Sequence, residues 1–185
     1  MKKNICILCG ILLIGFLIIV INYNCIYSIG NNNMEYNIKG FINRPKVITN
    51  NIYIKQTIDI ENRRYVLFTF NDYLGNAELV RGLNGKYKIE STISGSNLFE
   101  YRVREINKSK YFVVAGKNFD LKIDYAKVSL DNNEYKIIIP CQEYFIAYCA
   151  VSNNTLNIFP VDSGLKLFEK NNIEITNDIY IKFSH

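Results

Sequence analysis

The chain carries a single histidine, His185, and it is the last residue. Catalytic triads of the Ser-His-Asp or Cys-His kind need an imidazole held in one orientation by packed neighbours, which a terminal residue lacks. Zinc chemistry is disfavoured by the same scarcity. Beyond residue 25 the only cysteines are Cys141 and Cys149, and they do not cluster with a histidine. The stretches "GLNGK" and "GKN" contain glycine and lysine without phosphate-loop spacing. "DNNE" at 131–134 is too short for a calcium loop. Asp120 and Asp124, read as i and i+4 on one strand face, would stand about 13 Å apart, beyond what either glycosidase geometry uses. No catalytic constellation is visible, so the chain reads as a non-enzyme with no cofactor and no metal.

The N-terminal stretch lacks charge. From Ile5 to Ile21 there is no charged and no strongly polar side chain. Those seventeen residues lie at the lower limit for a helix crossing a hydrocarbon core of about 30 Å. Lys2 and Lys3 precede the run, and no Lys or Arg follows until Lys39. This bias puts the N-terminus in the cytoplasm and the rest of the chain outside. The run also lacks the small residues of a cleavage site, and "INYNCIYSIG" offers nothing close before residues 28–30. Asn24 before Cys25 and Leu8 before Cys9 do not suit lipidation. The expected layout is a single-pass anchor at 1–22, a polar juxtamembrane linker at 23–35 and an extracytoplasmic domain at 36–185.

Placement outside the cell bears on the thiols. Cys6 and Cys9 read C-x-x-C but sit inside the apolar run, where they act as small apolar side chains. Cys25, just past it, could bridge neighbouring anchors. Cys141 and Cys149, if "CQEYFIAYC" is one strand, stand roughly 26 Å apart, far beyond the reach of a disulfide. No bond is expected between them, and both read as buried free thiols.

Helix-favouring Ala and Leu are sparse, while Ile, Tyr, Phe and Val recur, which favours strands. "RYVLFTFND" is nearly all apolar, as a strand buried on both faces would be. "GKYKIES" alternates, with Tyr87 and Ile89 against Lys86, Lys88 and Glu90. "LFEYRVRE" sets Phe99, Tyr101 and Val103 inward and Glu100, Arg102 and Arg104 outward. "FDLKIDYAKV" continues the pattern through Phe119, Leu121, Ile123 and Tyr125, and "EYFIAYCAV" reads as central. Turn signals recur at Asn84-Gly85, 94–97, 107–110, 116–118, 131–133 and 152–154. Such spacing predicts an all-β fold, an antiparallel β-sandwich or barrel of consecutive hairpins. Only "NAELVRGL" and "SGLKLFEKN" read as possible short helices.

Net charge is +5, and Lys2 and Lys3 supply two of those charges. The remaining balance is too mild for a nucleic-acid partner. With a two-residue type I′ turn at Asn84-Gly85, Arg81 would lie opposite Lys88. Arg102 and Arg104 would join them on a third, neighbouring strand. Arg81, Lys86, Lys88, Arg102 and Arg104 then form a basic face on a three-stranded sheet, suited to anionic lipid or surface polymer.

The stretch "GLNGKYKI … FEYRVREINKSKYFVVAGKNFDLKIDY" resembles segments of uncharacterised small membrane-anchored β-rich proteins of low-G+C Gram-positive bacteria, over roughly residues 65 to 150. The resemblance implies a bacterial, extracytoplasmic setting and brings no activity with it. The expected function is a membrane-tethered binding or assembly module contacting a partner protein or anionic surface component. The alternatives are an Asp/Glu-dependent cell-wall carbohydrate enzyme and an accessory subunit of a membrane complex. For the last, Gly10 and Gly15 at i and i+5 do not make the close-packing GxxxG spacing.

Overall fold

The computed structural model describes residues 10–20, 27–71, 73–96, 98–160 and 164–181. Residues 10–20 are helical throughout (α1). Among the described residues no helix is long and apolar enough to cross a membrane. The expected span at 5–21 begins and ends outside them.

Past α1, the stretch expected as the end of the linker and the start of the all-β domain contains a second helix. A 3-10 turn at Asn31–Asn33 leads into α2 (Met34–Ile42). Met34, Ile38 and Ile42 recur every fourth residue and so share one face of the helix, and all three are buried. Asn43 closes the helix by donating its backbone N–H to the Lys39 carbonyl, 3.2 Å away. Its side-chain oxygen accepts from the backbone N–H groups of Ile48 and Thr49, which turns the chain toward the first strand.

The rest is built from antiparallel hairpins. A four-stranded sheet runs in chain order, β1 (Tyr53–Ile60), β2 (Arg63–Phe70), β3 (Tyr73–Arg81) and β4 (Tyr87–Ser96). The chain then leaves this sheet for β5 (Phe99–Ile106) and β6 (Ser109–Lys117), and enters a third layer with β7 (Tyr125–Leu130) and β8 (Asn133–Ile138). It returns as β9 (Tyr144–Val151) beside β6, and finally as β10 (Leu165–Phe168) beside β7. A short helix, α3 (Thr176–Ile181), follows. The second sheet is ordered β5-β6-β9 and the third β10-β7-β8. The sheets are open, so the barrel alternative does not hold.

Side-chain parity explains the stacking. On β2, Val66, Phe68 and Phe70 face α2, while Tyr65 and Leu67 face the second sheet. On β6, Val113 and Ala115 return that contact, and Phe112 and Val114 turn to the third sheet. β9 divides likewise, with Ile146 one way and Phe145 and Ala147 the other. The second sheet is therefore buried on both faces. β9 is central in this sense, although it is the last strand of its own ladder.

The turns at Asn107-Lys108 and Asp131-Asn132 have positive φ at both residues and join Ile106 to Ser109 and Leu130 to Asn133, as two-residue type I′ turns do. Asn84-Gly85 behaves differently. Gly85 has φ +72 while Asn84 is not among the positive-φ residues. Gly82 donates its N–H to the Lys86 carbonyl, so the loop has three residues, and a glycine takes its left-handed position. Arg81 consequently faces Tyr87, and Lys88 faces Val80.

Other expectations are corrected. Residues 76–81 of "NAELVRGL" lie on β3 and residues 165–168 of "SGLKLFEKN" form β10, because both supply apolar residues to sheet cores. Residues Phe119–Leu121 form a 3-10 turn with Asp120 and Leu121 at positive φ. The strand begins only at Tyr125, so Asp120 and Asp124 share no strand face and Leu121 is exposed. Cys141 is exposed and Cys149 half-buried, both as free thiols.

Two glycines separate tight from open packing. A Cβ on Gly116 would lie 2.6 Å from the Leu98 carbonyl oxygen and 2.2 Å from the Phe99 ring, and backbone cannot swing aside. Gly40, within α2, has nothing nearby. Gly116→Ala is expected to destabilise the protein by about 1–3 kcal/mol. Gly40→Ala should stabilise it by about 0.5–1 kcal/mol. Denaturant titration of both variants checks the contrast.

Candidate functional site

β4 and β5 belong to different sheets, so the proposed three-stranded basic face does not form. Glu90 reaches Arg63 on β2. The five basic residues fall into two groups. Arg81, Lys86 and Lys88 stay at the exposed β3–β4 hairpin. Arg102 and Arg104 lie on the β5 face that looks across at the first sheet.

That face was expected to meet solvent. Phe99 joins the core shared with the third sheet, and Tyr101 and Val103 pack against it. Strand alternation then sends Glu100, Arg102 and Arg104 the other way. Opposite them, β3 presents Asn76 and Glu78 on the side away from α2. The result is a cleft of about 360 Å³ lined by Tyr65, Asn76, Ile93, Glu100, Arg102 and Arg104, with Val113 also contributing. The exposed Phe159 adds aromatic surface to it, and Phe99 and Tyr101 border it while their rings pack toward the third sheet. Phe159 is held there because the preceding residue, Ile158, accepts a hydrogen bond from the Val103 N–H at 2.7 Å.

One side of the cleft is electrostatically closed. Glu78 is only 7% exposed. Arg104 Nη1 stands 3.0 Å from its Oε2, and Arg63 is 3.5 Å from Oε1. Tyr65, directly across the ladder, donates its hydroxyl to Glu78 Oε1 at 3.2 Å. Burial pulls the Arg104 pKa down, and Glu78 opposes the shift. Burial also raises the Tyr65 phenol, reinforced by the neighbouring Glu78 charge. The phenol therefore stays protonated as a donor.

The other side is not satisfied internally. Glu100 Oε2 and Asn76 Oδ1 are buried, and neither has a hydrogen-bond partner among the described residues. Burial pushes the Glu100 carboxyl up to about 7, against the lowering influence of Arg102 and Arg104. Arg102 makes no side-chain hydrogen bond or ion pair among the described residues. Residues carrying two buried, unmet acceptors and one guanidinium without a hydrogen bond thus line the same cleft.

The chain matches no known family model, no curated protein and no solved structure. The site therefore rests on its own geometry. Among the described residues no three His, Cys, Asp or Glu side chains are grouped to hold a metal ion. A single carboxylate, Glu100, lines the cleft, and Glu78 is engaged by Arg104, Arg63 and Tyr65. Sequence reading set Arg102 and Arg104 on one face with Glu100 but missed Tyr65 and Asn76 as their companions. The signal was present in the strict alternation of "FEYRVRE", whose polar face needed only a second sheet above it.

The two arginines are expected to separate on mutation. Arg104→Ala strips a buried carboxylate of its nearest cation and should cost about 3 kcal/mol. Arg102→Ala should stay within about 0.5 kcal/mol. Chemical denaturation of the pair measures this difference.

Glu100 gives a pH signature. Its carboxyl holds a proton to about pH 7 when folded, against 4.5 for an ordinary glutamate. The folded state thus binds more protons in that window, and its stability declines as pH rises through it. Glu100→Gln should flatten this slope and melt higher than the parent near about pH 8, where the parent buries a charge. Thermal melts across that range test the sign.

Proposed function

We propose that the protein is a membrane-tethered extracytoplasmic binding module, and that the cleft between β3 and β5 is where it takes its ligand. The observation that carries this reading is the pair of buried, unpartnered acceptors, Glu100 Oε2 and Asn76 Oδ1. Leaving such groups unmade in a folded protein costs roughly 1–3 kcal/mol each, a cost that a ligand's N–H or O–H donors would remove.

The same walls narrow the chemistry. Arg102 and Arg104 disfavour a cation beside Glu100 and attract an anion. The exposed Phe159 suits a flat apolar face. A sugar unit of an anionic surface polymer meets all three demands, with hydroxyl donors, a C–H face and a neighbouring negative charge. The volume lies at the small end of ordinary ligand sites. Tethering would hold the module at high effective concentration against a polymer beside the membrane. The carbohydrate-enzyme alternative needs two carboxylates facing one sugar, and the cleft lining provides one.

The test is calorimetric titration of the full chain in nanodiscs with a panel of neutral and acidic oligosaccharides. Binding is expected for an acidic member and should weaken with salt. Asn76→Leu and Arg102→Glu should each weaken it about tenfold, equivalent to roughly 1.4 kcal/mol, while Lys127→Ala leaves it unchanged. Arg104 is unsuitable for this purpose because it holds Glu78. Binding that ignores salt and both cleft substitutions would overturn the reading, as would no binding across the panel.

A further inference from the structure

The three basic residues left at the β3–β4 hairpin have a setting of their own. Arg81, Lys86 and Lys88 are exposed and make no ion pair among the described residues. Between them Leu83 projects from the turn, 79% exposed. The Arg81 guanidinium lies over the turn, with Nη2 4.0 Å from the position a Cβ on Gly85 would take.

This hairpin is fastened to the segment that follows α1. Asn84 Nδ2 donates to the Tyr27 carbonyl at 2.7 Å, and the Tyr27 N–H donates to Asn84 Oδ1 at 3.3 Å. Two residues later Ile29 and Tyr87 exchange both backbone hydrogen bonds, at 3.1 and 2.8 Å. From Val20, the last described residue of α1, to Tyr27 is seven residues of chain, which can span at most about 25 Å. The hairpin tip therefore stays within a short tether of the apolar helix, whatever path the intervening residues take.

We infer that this tip is a second membrane contact, with Arg81, Lys86 and Lys88 meeting anionic lipid headgroups and Leu83 entering the interface. The inference rests on the anchor reading of the N-terminal apolar run and is independent of the cleft. An exposed leucine on a hairpin that also carries three exposed cations is the combination that interfacial binding uses, apolar insertion plus attraction to anionic lipid. The tether supplies proximity, so the tip needs little intrinsic affinity. Docking there would fix how the domain stands on the bilayer and hence which way the cleft opens.

The chain has no tryptophan, so one introduced residue reports alone. Leu83→Trp and, as a remote probe, Leu156→Trp are each reconstituted as full chains in vesicles with or without anionic phospholipid. Leu156 is exposed and is held by Asp131, at the tip of a hairpin in the third sheet. In anionic vesicles brominated lipid should quench Leu83→Trp several-fold more than Leu156→Trp. Adding Lys86→Glu and Lys88→Glu, or omitting anionic lipid, should remove the difference. Equal quenching of the two probes, or quenching indifferent to charge, overturns the tip contact while a chain resisting alkaline extraction keeps the anchor. A chain stripped from vesicles by alkaline wash overturns both.

Discussion

The structure depends on a sheet that is buried on both faces. In β6 the successive side chains Phe112, Val113, Val114 and Ala115 are all buried and point alternately to the third and first sheets. Such a strand has no solvated face on which to put a charge, so its polar residues are displaced toward its ends and onto its neighbours. β5 takes that displaced polarity. Its core face completes the packing against the third sheet, and its other face sets Glu100, Arg102 and Arg104 against the first sheet. Apolar packing cannot close over that face, so the seam between the sheets changes from hydrophobic core to a polar cleft. The cleft thus follows from the layering.

Within the cleft, two solutions to buried polarity stand side by side. Glu78 has two guanidinium groups and a phenol around it. Fully served groups of this kind position a site and are expensive to disturb. Glu100 and Asn76 lack that service on one atom each. Two unmet acceptors thus stand beside the Glu78 cluster, on residues that line one cleft.

Most of the strands were legible because alternation survives translation from sequence to sheet. "GKYKIES" placed Tyr87 and Ile89 in the core, and "NKSK" and "DNN" marked true two-residue turns. The failures have local physical causes. The Met34, Ile38, Ile42 stripe had helical spacing, but β-favouring composition outweighed it. Asn84-Gly85 has the residues of a type I′ turn, yet Asn84 uses its side chain to hold Tyr27 and leaves only glycine with positive φ. That single difference moved the register by one. The chain's departure from β4 into a new sheet left no mark in the sequence, since a hairpin and a crossing between sheets can use similarly short polar connections. The arginines were therefore visible as residues, while their partners in the cleft depended on a layer that sequence alone does not order.

The bulge in β1 has a consequence for how copies of this protein behave toward each other. The register of β1 against β2 shifts between Ile54 and Gln56, and the Gln56 side-chain oxygen accepts the backbone N–H of Ile146 on β9. Ile146 belongs to the outermost strand of the doubly buried sheet, where a free backbone donor would invite another chain to continue the ladder. One glutamine, re-aimed by one extra residue, occupies that donor from within the molecule. A sequence this rich in isoleucine, tyrosine and phenylalanine holds several segments able to stack as fibrils. Molecules crowded together would meet edge to edge often, and at Ile146 the donor they would find is already occupied.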